Sequence, residues 1–224
     1  MKIAYLGPKG TFTEKISKEL FPNEELIPLQ PIRNVIFAVE NDKADFAVVP
    51  LENFYNGEVR ETLDSLNECQ KAGIIQEKSL EIVHCLGALK EHQNISKILS
   101  KDQALEQCSH FLMDKFPEAQ TIAVSSTAEA VRKIKSENIL DSAVIASKEA
   151  ILESELEILN INLVPNNKTR FVVIGKTETK PTSDDKTLIS IHPPKDKAGV
   201  LYGVLGFLAN AKINLEDIKS RPDK

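Results

Sequence analysis

The sequence predicts an α/β fold built on one or more largely parallel sheets, and three observations point there. Short apolar runs alternate with amphipathic stretches along most of the chain. At least three of the amphipathic stretches open on a Ser or Thr, just after a strand and a short turn. Hydrophobic residues make up 42% of the 224, with no Trp, so Ile, Leu, Val and Ala must fill one large domain or two modest ones.

Taken in order, residues 2–6 (KIAYL) read as a strand that runs into a Gly/Pro turn. Thr11-Phe12-Thr13-Glu14 has capping-box spacing, and Ile16 and Leu20 then share one helical face. Residues 45–50 (DFAVVP) read as a buried strand ended by its proline. Val59, Leu63 and Leu66 make residues 58–71 an amphipathic helix. Residues 80–89 and 95–99 read as strands. Ser100-Lys101-Asp102-Gln103 repeats the capping-box spacing, and Leu105, Cys108, Phe111 and Leu112 mark the helix after it. Residues 121–124 form a strand, and Ser126-Thr127-Ala128-Glu129 opens a further helix. Residues 143–146 form a strand ending at Ser147, and residues 171–174 form the last strand of this part. Helix starts at the C-terminal ends of parallel strands suit anions, although capping alone accounts for any one of them.

Residues 177–186 (TETKPTSDDK) are polar, contain Pro181 and read as a linker. After it, residues 187–192 alternate like a strand, 198–211 are helical, and 213–218 begin another strand.

Composition excludes several classes. The net charge is −5 with no Lys/Arg run, which argues against nucleic acid as a partner. The N-terminus has no apolar core of signal-peptide type, and no apolar run is long enough to cross a membrane. Cys69, Cys85 and Cys108 are odd in number and lack C-x-x-C spacing. They read as reduced thiols of a cytoplasmic protein, two or more of them buried. The four histidines form no metal-ligand pattern, and no metal or cofactor is expected.

Three segments carry candidate chemistry. Leu6-Gly7-Pro8-Lys9-Gly10-Thr11-Phe12-Thr13 is a strand-to-helix turn with two hydroxyls at the helix start. Val49-Pro50-Leu51-Glu52-Asn53-Phe54-Tyr55-Asn56-Gly57 places polar residues after a buried strand, where an open α/β sheet binds ligands. Thr169-Arg170-Phe171 presents a hydroxyl and a guanidinium at a strand entrance. Each is weak alone.

In this order they resemble the prephenate dehydratase family. Residues 5–13 are similar to a strand plus GPxGTFS, with Thr13 in place of serine, and residues 47–64 resemble GVVPIENSxxGxVxxTLD. Residues 100–108 look like SHPQALxQC, and Thr169-Arg170-Phe171 is similar to the family's most specific signature. Gly199-Val200-Leu201 and Ser220-Arg221-Pro222 resemble the GAL and ESRP segments of the ACT domain attached to many such enzymes. The resemblance runs over essentially the whole chain.

It implies a two-lobed catalytic domain over residues 1–176, like a type II periplasmic binding protein, followed by a partial ferredoxin-like ACT domain over 187–224. Lobe one would hold about 1–76 and 168–176 and lobe two about 77–167, with the chain crossing near 76–79 and 164–168. The implied reaction is decarboxylating dehydration of prephenate to phenylpyruvate in phenylalanine biosynthesis, without a cofactor. Thr169 would assist loss of the ring hydroxyl by a positioned hydrogen bond. Arg170 offers a fork for a carboxylate, or an ion pair with Glu52. Thr11, Thr13 and Asn53 are further substrate-binding candidates, and Phe171 packs beneath the site. Gly199, Val200, Leu201, Ser220, Arg221 and Pro222 are candidates for binding L-phenylalanine as effector, in a homodimer or homotetramer. Phe54 stands where the family has a small hydroxyl, and Lys101 where it has histidine. Arogenate as substrate, decarboxylation without aromatisation, and a non-catalytic phenylalanine sensor remain as alternatives. About forty residues after the linker make half of a βαββαβ unit. Such a remnant leaves Leu201, Val204, Leu205, Leu208 and Ile213 partly exposed, each forgoing about 1–2 kcal/mol; the sequence is either a fragment or covers this face elsewhere.

Overall fold

A computed structural model describes residues 1–177, 179–193 and 197–220 of the chain. It divides into two compact units, Met1–Lys180 and Pro181–Lys224.

The first unit is mixed α/β with two sheets. Along the chain run β1 (Lys2–Leu6), α1 (Phe12–Leu20), β2 (Glu25–Leu29), α2 (Ile32–Glu40), β3 (Phe46–Asn53), β4 (Gly57–Glu58), α3 (Arg60–Asn67) and β5 (Gly73–Glu81). There follow β6 (His84–Ala88), β7 (Lys97–Lys101), α4 (Asp102–Gln107), α5 (Ser109–Lys115), β8 (Gln120–Val124), α6 (Thr127–Glu137), β9 (Ser142–Ser147), α7 (Lys148–Glu153), β10 (Glu157–Asn160) and β11 (Lys168–Gly175). One sheet has the order β2-β1-β3-β11-β5, with β4 on β3; the other has the order β10-β6-β9-β7-β8. The expected two-lobed α/β architecture is therefore present, one sheet to a lobe.

The sheets are mixed rather than largely parallel. In each, three strands joined by helices run parallel: β2-β1-β3 and β8-β7-β9. The strand beside each triplet, β11 or β6, is antiparallel to it. Both arrive from the other sheet instead of through a βαβ crossover, so the parallel rule does not bind them.

The first crossing lies at Ile82-Val83, not near 76–79. β5 stays paired with β11 as far as Glu81 opposite Lys168, and β6 begins at His84. Residues 77–81 thus belong to the first sheet. β5 is an edge strand with an exposed polar middle, and the apolar run over 80–89 conceals the change of sheet. The return crossing lies between β10 and β11.

Pro50 does not end its strand. β3 continues to Asn53, and the register against β11 shifts between Arg170 and Phe171, with Pro50 opposite Phe171. An irregularity there tolerates the missing proline N–H. The continuation sets Asn53 opposite Thr169.

Both faces of each sheet are covered, which explains near-continuous apolar strands such as AVV and AVIA. In the first sheet, Val49, Val172 and Ile174 pack with Val35, Ile36 and Val39 of α2. On its other face Ile3, Tyr5, Val48, Phe171 and Val173 pack with Ile16 of α1. In the second, Leu86, Ile98 and Ile145 meet Leu105, Cys108 and Leu112. Leu99, Val144 and Ala146 meet Val131, Ile134 and Ile151 on its opposite face. Cys85 and Cys108 are buried and all three thiols are free; burial pushes Cys108 up to about 12.

Thr11, Ser126 and Ser147 cap α1, α6 and α7 by accepting from the N–H of Glu14, Glu129 and Ala150. Each such cap contributes about 1 kcal/mol. Ser100 does not cap α4. The N-cap there is Lys101, and Ser100 Oγ, buried in β7, donates to the Ile145 carbonyl at 2.6 Å.

In the second unit, α8 (Val200–Asn210) is the regular element among the described residues. The strands expected over 187–192 and 213–218 are absent. A strand without paired neighbours leaves its backbone groups to water, and among the described residues of this unit none forms a strand pair with another. Leu201, Phe207 and Ile213 are 58%, 73% and 48% exposed, while Val204, Leu205 and Leu208 are half-buried. Among the described residues no helix is long and apolar enough to cross a membrane.

Candidate active site

Thr169, 8% exposed, sits in β11 between Asn53 of β3 and Leu80 of β5. Asn53 Nδ2 donates to Thr169 Oγ1 at 2.8 Å. Asn53 is itself 5% exposed and saturated. Its Oδ1 accepts from the N–H groups of Tyr55 and Asn56 at 3.0 and 3.1 Å, and from Gln107 Nε2 at 3.1 Å. Asn53, the last residue of β3, forms an Asx turn over Asn53-Phe54-Tyr55-Asn56, and its amide leaves Nδ2 to donate to Thr169.

Three residues that the sequence did not single out complete the cluster. Asn167, fully buried in the return crossing, accepts from Asn53 Nδ2 at 2.8 Å and donates to Gln107 Oε1 at 3.0 Å. Gln107, at the end of α4, lies 3.0 Å by its Oε1 from His84 Nε2. His84 opens β6, and its ring meets Phe12 edge-on at 5.7 Å. The cluster therefore joins both lobes and the crossing between them. Gln107 stood inside the motif over 100–108, and Asn167 in the Asn-rich turn before Thr169. His84 had no local signal, since its partners are distant in sequence.

Burial pulls the His84 imidazole below its ordinary value, against the bond to Gln107, which favours the charged form. Among the described residues its Nδ1 has no hydrogen-bond partner. A neutral ring with the proton on Nε2 fits this environment, because Gln107 Oε1 can only accept.

The other candidates take varied positions. Arg170 pairs with Glu52 at 3.0 Å and Glu77 at 3.6 Å. Thr11 Oγ1 commits its one proton to the Leu6 carbonyl at 3.2 Å while capping α1. Thr13 is buried in the first turn of α1. Phe171 is core, 2% exposed. The anion-friendly helix starts already hold the protein's own carboxylates: Glu14 accepts from Gly10 N–H, and Glu129 from Ser125 N–H. Gly10 has φ +83°, and a Cβ there would meet Ala128 Cβ at 3.1 Å, so this turn of lobe one needs glycine against α6 of lobe two. Lys15 and Glu149 pair across the same boundary at 2.6 Å. In the second unit Gly199, at φ +89°, caps α8, and Val200 and Leu201 begin it. Ser220 is exposed, and Arg221 and Pro222 lie outside the described residues.

The prephenate dehydratase family model matches residues 3–179. The bifunctional chorismate mutase/prephenate dehydratase of Aquifex aeolicus is 41% identical over all of this chain, which spans 62% of that protein's length. The prephenate dehydratase of Lactococcus lactis is 34% identical over 99% of this chain and 81% of its own. The crystal structure of prephenate dehydratase from Arthrobacter aurescens in complex with L-Phe superposes with a TM-score of 0.86 at 27% identity, over 99% of this chain and 76% of that one. With a family model over most of its length, relatives of this identity and a matching two-sheet architecture, the chain belongs to the prephenate dehydratase family.

Proposed function

We propose that the chain catalyses the decarboxylating dehydration of prephenate to phenylpyruvate. The bond from the ring to its carboxylate breaks, its electron pair enters the ring, and the C–O bond to the ring hydroxyl breaks in turn. With one proton taken up, the products are phenylpyruvate, carbon dioxide and water. Aromatisation makes the reaction steeply downhill, so the enzyme's task is to position and to assist the departing hydroxyl.

The observation that carries this reading is the Asn53–Thr169 hydrogen bond. Thr169 Oγ1 accepts there, and its own proton stays available for the leaving oxygen. A threonine hydroxyl is a poor acid, so its contribution is a hydrogen bond that strengthens as charge develops. Arg170 supports the site through Glu52 and Glu77. Thr13 and the Asn53 loop frame the substrate from lobe one.

The segment around α8 is read as part of an ACT regulatory domain, with L-phenylalanine as effector and a homo-oligomer as the assembly. The likeness of Gly199-Val200-Leu201 to the GAL segment supports this, as does the Arthrobacter relative in complex with L-Phe. A cytoplasmic location accords with free, buried thiols.

Incubating the purified chain with prephenate and following phenylpyruvate tests the reaction. Thr169→Ala should lower kcat by about two orders of magnitude while KM changes little, the mark of an interaction made mainly in the transition state. Unchanged kcat would remove Thr169 from the mechanism, and a decarboxylated, non-aromatic product would replace the reaction itself.

A further inference from the structure

Asn53, Asn167 and Gln107 close a ring of three amides whose hydrogen bonds all run in one sense. Asn53 Nδ2 donates to Asn167 Oδ1, Asn167 Nδ2 to Gln107 Oε1, and Gln107 Nε2 to Asn53 Oδ1, over 2.8, 3.0 and 3.1 Å. That sense is fixed from outside. The backbone N–H groups of Tyr55 and Asn56 require an oxygen at Asn53 Oδ1. A nitrogen there would set its own protons against two part-buried N–H donors and leave both without an acceptor. Gln107 is then held from both ends: its Nε2 donates to Asn53 Oδ1, while Asn167 Nδ2 donates to its Oε1, which also lies against His84.

The ring ends on Thr169. Asn53 Nδ2 has two protons and three acceptors within reach: Asn167 Oδ1 at 2.8 Å, Thr169 Oγ1 at 2.8 Å and the Lys168 carbonyl at 3.2 Å. With Asn167 taking one proton, the other is directed to Thr169. A hydroxyl that already accepts a hydrogen bond is a stronger donor through its own proton.

We propose that Asn167 is a positioning residue for Thr169. By engaging one Asn53 proton and fixing which end of Gln107 faces Asn53, it keeps the second Asn53 proton on the Thr169 oxygen. The Thr169 proton is then left for the departing hydroxyl of the substrate. The inference rests on the reading of Thr169 above. Asn167 touches no reacting atom; it acts through Asn53. Replacing it with aspartate preserves shape and the acceptor for Asn53 but sets an oxygen against Gln107 Oε1, which breaks the one-way ring.

A double-mutant cycle on the full chain tests this: Asn167→Asp, Thr169→Ala and the pair, with kcat and KM for prephenate conversion. Asn167→Asp should lower kcat about tenfold with KM within about twofold, and should add nothing in the Thr169→Ala background. Additive losses, or wild-type kcat in Asn167→Asp, would overturn the proposal and leave Thr169 in place. Unchanged kcat in Thr169→Ala alone would instead sink the reading of Thr169, and the proposal with it. Should Asn167→Asp fail to fold, the wild-type protein still decides. Long-range nitrogen–proton NMR should show His84 as the neutral Nε2–H tautomer, and an Nδ1–H tautomer would mean the ring does not run this way.

Discussion

Arg170 Nη2 lies 3.0 Å from Glu52 Oε2 while its Nη1 lies 3.6 Å from Glu77 Oε2, so one guanidinium ties β11 to both of its neighbouring strands. Glu52 is directly across from Arg170 on β3, and Glu77 is a diagonal neighbour on β5. A two-sided fork of this kind suits arginine and not lysine.

Arg170→Lys should therefore act on stability. The pairs are about one-third exposed, which screens each of them to less than ~1 kcal/mol. A fall in Tm of about 2–4 °C is expected for a domain of this size, with KM for prephenate held within about twofold. Thermal melts beside steady-state kinetics check it. A variant of normal Tm and strongly raised KM would place Arg170 on the substrate.

Phe54 is 71% exposed, and its ring meets Tyr55 edge-on at 5.3 Å, while Tyr55 Oη donates to the Pro165 carbonyl at 2.8 Å. The Asn53 turn is held by backbone and amide bonds that do not involve the Phe54 side chain. Phe54→Ser should shift stability by no more than about 0.5 kcal/mol, seen as a Tm change under about 2 °C. A loss of several degrees would show that the ring is part of the packing.

His84 gives the protein an acid-side sensitivity. Unfolded, its ring takes up a proton near 6.5; folded, burial lowers that value. As pH falls through 6.5 the unfolded chain binds a proton that the folded chain refuses, so stability declines toward the lower folded value. Above 6.5 neither state is charged, and the contribution is flat. His84→Gln keeps an amide donor for Gln107 and does not titrate. Its Tm should fall less than that of the wild type between pH 7 and pH 5, in melts at matched ionic strength. Parallel curves for the two proteins would show that His84 titrates alike in both states.

The sequence by itself determined what depends on neighbours along the chain. Alternation of apolar runs and amphipathic stretches gave the α/β class, because both faces of each sheet had to be covered. The caps at Thr11 and Ser126 followed from hydroxyl placement and the spacing of Glu14 and Glu129, whereas Ser100, with similar spacing to Gln103, caps nothing. Ordered motifs singled out Thr169 and Asn53, which the structure sets opposite each other on β11 and β3. The tertiary structure alone decided which way the crossing strands run, that Pro50 sits within its strand, and that the chain changes sheets at Ile82-Val83 inside one apolar run. It alone closed the ring of Asn53, Gln107 and Asn167 and set His84 against it. An amide side chain has two ends of nearly the same shape, and nothing local says which donates. Only partners brought together from Asn53 to Asn167, across both lobes, fix that choice, and with it the direction in which the Thr169 proton is free to point.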